Sequence, residues 1–174
     1  GGVQKQDAEW IGAAARRYPG KILQAAPVPN PSHPGQAKAL DDLLATGRYR
    51  AAGEVHVRQL SRKVDLRLDT DEFGRLLEAA AKHNAPVVIH AELNDRLAEG
   101  LGRALNARRS ATVILAHAGS ADPRRIETLL HRLPSLMVDL SGMHFMRTPA
   151  LATESGPLDH RWKAVIEKMP DRFL

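Results

Sequence analysis

Pro86-Val87-Val88-Ile89-His90-Ala91-Glu92 is an apolar run that ends on a histidine, and Thr112-Val113-Ile114-Leu115-Ala116-His117-Ala118-Gly119 repeats the form one helix later. Each run is short, rich in β-branched residues and without apolar–polar alternation. Such a run reads as a strand buried on both faces, as in parallel sheets. Between the two, Leu97, Leu101, Ala104 and Leu105 fall at helical spacing. The repeating unit is therefore strand, turn, amphipathic helix, strand.

The same unit extends in both directions. Upstream, Ile22 to Val28 reads as a strand, followed by a loop dense in proline from Pro27 to Pro34 and a helical stripe of Ala37, Leu40, Leu43 and Leu44 that Gly47 stops. Ala52 to Val57 is the next strand, and a polar, basic loop from Arg58 to Arg67 follows it. Asp69 with Glu72 suggests a capping box for a helix whose face is Phe73, Leu76, Leu77 and Ala80. Downstream, Asp122 as N-cap and Pro123 at the first helical position open a helix containing Ile126, Leu129 and Leu130. Leu136 to Leu140 is a fifth strand, and Trp162, Val165, Ile166 and Met169 form the last helical face. Five strands alternating with helices mean a parallel α/β architecture, either an open doubly wound sheet or part of a closed barrel. No Gly-x-Gly-x-x-Gly follows a strand, which removes the main support for a dinucleotide fold.

Composition narrows the function classes. The 174 residues suit one domain, and the charged fraction of 26% is that of an ordinary soluble protein. No apolar run approaches the roughly 20 residues that span a bilayer, and no charged, apolar, small-residue leader opens the chain, so cytoplasm and periplasm both stay open. The absence of cysteine excludes disulfides, cysteine-ligated zinc and a thiol nucleophile. A formal charge of +5 gives a basic surface, but the arginine pairs are scattered and aromatics make up only 4%, which argues against nucleic-acid binding.

Chemistry concentrates at strand ends. His56, His90 and His117 all stand at the carboxyl ends of strands, the edge where parallel β/α folds build their sites. Neighbouring strands lie about 4.8 Å apart, so imidazoles at adjacent ends can reach one ion. A lone strand-end histidine usually just finds a polar loop partner. Two on consecutive strands, followed by His90-Ala91-Glu92 and His117-Ala118-Gly119, favour a metal site. Strand alternation puts Glu54, His56 and Arg58 on one face and Val55 and Val57 on the other. If the valines pack on helices, Glu54 turns inward, where a carboxylate needs a cation or a metal. Glu54 is then either a metal ligand or the salt-bridge partner of Arg58 or of a group on a neighbouring strand.

These residues meet a known pattern. Gly53-Glu54-Val55-His56, Val88-Ile89-His90-Ala91-Glu92, Ile114-Leu115-Ala116-His117-Ala118-Gly119 and Met137-Val138-Asp139-Leu140-Ser141-Gly142 resemble successive strands of amidohydrolase-superfamily barrels, and the stretch from Trp162 to Leu174 resembles the helix leading to the last one. The resemblance implies a (β/α)8 TIM-barrel-like fold over residues 1–174, incomplete here and covering about strands three to seven. In that superfamily a carboxylate or modified lysine on strand four and histidines on strands five and six hold the metal, with a His-x-His on strand one and an aspartate on strand eight. By that count Glu54, His90 and His117 fall on the metal-ligand positions. The His-x-His and the eighth-strand aspartate have no counterpart in this sequence, so flanking sequence or partner chains are expected to supply the missing parts, and the segment alone is not expected to be a complete catalyst.

The expected function is a metal-dependent hydrolase acting on a small molecule. One or two divalent ions, zinc foremost, would activate water against an amide, ester, lactone or phosphoester. His90, His117 and Glu54 would be ligands. Glu54 and His56 would carry catalysis, with His56 a further ligand or a group behind the ligands. Arg58, with its loop, would recognise an anionic substrate group. Rival readings are a decarboxylase or metal-free lactonase of the same superfamily, a TatD-like nuclease, and a non-catalytic barrel fragment. A homo-oligomer is compatible with all of them.

Overall fold

The computed structural model describes residues 5–146 and 148–174. Six helices and six strands alternate along them. Helix α1 (Lys5–Arg17) precedes β1 (Gln24–Ala26), then come α2 (Gln36–Ala45) and the long β2 (Tyr49–Gln59). A short strand β3 (Val64–Asp65) folds back on β2, and α3 (Asp71–Lys82) leads to β4 (Val87–Ala91). Next are α4 (Asp95–Ala107), β5 (Val113–Ala116), α5 (Pro123–Arg132), β6 (Leu136–Val138) and α6 (His160–Lys168).

The sheet order is β1-β2-β4-β5-β6, every one of these pairs parallel. This order decides between the two architectures left open by the sequence. A doubly wound sheet reverses its strand order at a switch point. Here each strand is added on the same side as the last, and right-handed crossovers then place successive helices on one face. That is the winding of a TIM barrel, laid out as an open, parallel portion of it. Among the described residues β1 and β6 do not pair with each other.

The core lies between sheet and helices. Val55, Val57, Val87, Ile89, Val113, Leu115, Leu136 and Val138 are buried beneath Leu40, Phe73, Leu76, Leu77, Leu101, Ile126, Leu130 and Trp162. At roughly 25 cal/mol per Å² of apolar surface, each large side chain there contributes on the order of 2 kcal/mol. The opposite face departs from the sequence expectation of burial on both sides. Val88, Ile114 and Met137 form a row across β4, β5 and β6 and are only half-buried. In a closed barrel that face is packed by side chains from the other strands, which explains why the runs carry no polar residues there.

Two local expectations are corrected. The capping residue of α3 is Thr70, whose hydroxyl accepts from the Phe73 N–H, and not Asp69. Asp69 is taken instead by Arg67 and Arg103, at 2.8 and 2.9 Å. The segment from Arg58 to Arg67 is not all loop: β2 runs on to Gln59, a single 3-10 turn spans Leu60–Arg62, and β3 pairs antiparallel with the end of β2.

Candidate metal centre

The end of β2 is shaped by a bulge. Ala52 pairs with Val87 and Val55 with Ile89, so three steps on β2 match two on β4. Gly53 sits at this irregularity with φ +128°, and a Cβ there would lie 2.5 Å from the Val88 carbonyl oxygen. Only glycine fits. Bulges of this kind re-aim the side chains that follow. Beyond it, Val55 and Val57 are fully buried toward the helices, and Glu54 and His56 turn to the other face, as alternation predicts.

Three side chains converge there. Glu54 Oε1 lies 2.9 Å from His90 Nδ1 and 3.4 Å from His117 Nε2. One donor atom from each of Glu54, His90 and His117 falls within 4.8 Å of the other two. His90 comes from the end of β4, paired with His56 on β2. His117 follows β5 directly, in a turn whose residues His117, Ala118, Gly119 and Ser120 all have positive φ, between 46° and 59°. Non-glycine residues adopt this conformation at a cost of roughly 1–2 kcal/mol each, and such strain gathers at functional sites. The His90 and His117 rings meet edge-on with centroids 5.2 Å apart.

Around this trio the sequence-selected residues divide. The His56 ring packs 4.8 Å from that of His90. Burial lowers its pKa, and the neighbouring His90 works in the same direction, so His56 favours the neutral form. Arg58 is turned elsewhere. Its Nη1 donates to the Glu92 carbonyl oxygen at 2.6 Å, and the guanidinium pairs with Asp65 at 3.5 Å and with the Glu92 carboxylate at 3.7 Å. Glu54 is therefore not the partner of Arg58 among these contacts; its partners are the two histidines.

Sequence reasoning gave no role to Asp139, Ser141 and Gly142. His117 Nδ1 donates to the Ser141 carbonyl oxygen at 2.7 Å. Asp139 Oδ1 accepts from the Ser141 N–H at 2.7 Å, and Oδ2 accepts from its hydroxyl at 2.6 Å. The available signal was an Asp-x-Ser immediately after a strand, which favours an Asx turn. A shallow cleft beside His117 is lined by Ser120, Gly142, Met143, Thr148 and Pro149. A larger cleft, lined by Leu105, Arg109, Arg132 and Pro134, lies by the amino end of β6 and touches none of this chemistry.

The donor set fits a divalent ion. Imidazole nitrogens and a carboxylate oxygen are the ligands zinc and manganese take, and three protein donors within 4.8 Å of one another leave coordination positions open.

Solved structures support the architecture. The fold matches an uncharacterised TIM-barrel protein from Bordetella bronchiseptica at TM-score 0.65 and 17% identity, over 96% of this chain and 57% of the other. It matches a probable 2-pyrone-4,6-dicarboxylic acid hydrolase from Acinetobacter baumannii at TM-score 0.60 and 16% identity, over 99% and 62%. A dihydroxybenzoic acid decarboxylase from Polaromonas, solved with manganese and the inhibitor 2-nitroresorcinol, matches at TM-score 0.62 and 12% identity, over 98% and 62%. The chain thus spans about three-fifths of the length of these structures. A comparison with curated proteins gives no match. Among the described residues no helix is long and apolar enough to cross a membrane. The family pattern described as amidohydrolase matches residues 2–172, nearly the whole sequence, and the chain belongs to that family.

Proposed function

We propose that this chain carries part of the centre of a metal-dependent hydrolase for a small organic substrate, with Glu54, His90 and His117 as its share of the metal ligands. The observation that carries the reading is the convergence of these three donors within 4.8 Å at the carboxyl edge of the sheet. When bound, a divalent ion supplies Lewis acidity, polarising a substrate oxygen and bringing the pKa of water toward 7. Zinc is the ion we propose for this nitrogen-rich set.

The chain's own residues do the rest. Glu54 Oε1, set between two imidazoles, accepts from His90 Nδ1 at 2.9 Å, faces His117 Nε2 at 3.4 Å and holds negative charge toward the reacting centre. His56, kept neutral by burial, stands behind His90 and can take up or return a proton there. Arg58 remains the candidate for a substrate carboxylate or phosphate. Such an anion would have to compete with Asp65 and Glu92, so its first role is to brace β3 against the end of β4.

Likeness to a manganese-containing decarboxylase favours a second reading, loss of carbon dioxide from a hydroxylated aromatic acid. Assays of the protein loaded with zinc or manganese separate the two. Hydrolysis of a lactone or amide panel with ¹⁸O from water entering the product supports the first. Carbon dioxide release from dihydroxybenzoates without ¹⁸O uptake supports the second, and neither activity with either metal would sink both.

A further inference from the structure

Asp139 and Ser141 are not metal donors in this arrangement, yet both carboxylate oxygens of Asp139 are spent on Ser141. A carbonyl oxygen can only accept, so the 2.7 Å contact from His117 to the Ser141 carbonyl requires the proton on Nδ1. In the neutral ring Nε2 is then bare, and it is Nε2 that faces Glu54, at 3.4 Å. Gly142 closes the turn: at φ +70°, a Cβ in its place would lie 3.2 Å from His117 Nδ1. The backbone from Asp139 to Gly142 is thus folded tightly against one edge of the ring. The Ala118 N–H donates to the Asp139 carbonyl oxygen at 2.9 Å, which ties the two segments together a second time.

We propose that the Asp139–Ser141 turn is a positioning bracket that fixes His117 in its Nδ1–H tautomer and presents a bare Nε2 to the metal centre. The consequence for metal affinity rests on the reading of His117 as a ligand. The tautomer itself does not. A carboxylate doubly anchored to Ser141 holds its carbonyl in place, and that carbonyl selects the ring nitrogen that carries the proton, the usual way a ligating imidazole is oriented.

The test uses metal-free protein with ¹⁵N-labelled histidine, at alkaline pH, with the His117 signals assigned by their loss in His117→Gln. Wild type is expected to show a protonated Nδ1 and a bare Nε2. Asp139→Ala removes both acceptors; it is expected to move His117 toward the Nε2–H form and to weaken zinc binding by about tenfold. Asp139→Asn keeps an acceptor for the Ser141 N–H and is expected to restore most of the wild-type tautomer. A wild-type His117 in the Nε2–H form, or an unchanged tautomer in Asp139→Ala, overturns the proposal. If Asp139→Ala fails to fold, Ser141→Ala takes its place: it keeps the carbonyl and removes the hydroxyl that donates to Asp139 Oδ2 and itself lies 3.2 Å from His117 Nδ1. A partial tautomer shift there supports the bracket, and no shift overturns it. A tautomer shift with zinc affinity unchanged upholds the bracket and removes His117 from the proposed ligand set, so the two readings fail separately.

Discussion

Gly142 shows how little room the centre allows. Adding a single methyl group there would place a carbon 3.2 Å from the His117 ring at a backbone angle that L-residues rarely adopt. Gly142→Ala should therefore cost roughly 1–2 kcal/mol of stability through the backbone. It should also lower zinc affinity, because the ring must give way. A denaturant titration and a zinc titration on the same variant separate the two effects, and wild-type values in both would show that the turn is looser than described. At this scale the sequence was legible where position alone decides. His90 and His117 end apolar strands, and the face of Glu54 follows from its alternation with Val55 and Val57. Asp139 and Ser141 were not legible as parts of the site, because their function lies in a carbonyl and a turn. Nothing in the identity of a serine says that its backbone oxygen will meet an imidazole.

Among the elements, the start of α6 carries a pH-sensitive contact. Asp159 caps α6, accepting from the backbone N–H groups of Arg161 and Trp162. Its carboxyl is held down to about 2, first by the Arg161 side chain and then by the backbone. A carboxylate with a folded pKa below its unfolded value stabilises the fold above about pH 4 and loses that contribution as pH falls toward about 2. Asp159→Asn keeps a capping side chain but removes the charge. Its unfolding midpoint should consequently fall less than that of wild type between pH 4 and pH 2, and parallel decline of the two would contradict the assignment. The N-cap at Asp122 and the helix interiors were plain from spacing. The cap of α3 was displaced by one residue because Arg67, two residues away, and Arg103 on α4 both hold Asp69, and the contact from α4 is one that no local pattern encodes. Strand β3 went unseen for a related reason. Two residues of polar surroundings make no strand by themselves, and only the overhanging end of β2 gives them a partner.

At the scale of the whole molecule, the monotonic strand order settles the architecture that periodicity had left open. The half-buried row of Val88, Ile114 and Met137 shows why the runs around His90 and His117 looked buried on both faces. Their sequence is suited to a closed barrel, and these described residues form an open portion of one. Glu54, His90 and His117 arrive from three adjacent strands of that sheet, so metal binding and fold should be linked. A ligand present at a hundredfold excess over its Kd stabilises by about 2.7 kcal/mol, which for a chain of this size raises Tm by roughly 5–10 °C. The most direct measurement is a calorimetric titration of zinc into the metal-free protein, repeated on Glu54→Gln, His90→Asn and His117→Asn. The account predicts saturable binding by wild type and at least a roughly tenfold loss of affinity in each variant. Wild-type binding no tighter than that of the three variants would contradict a metal centre at these residues.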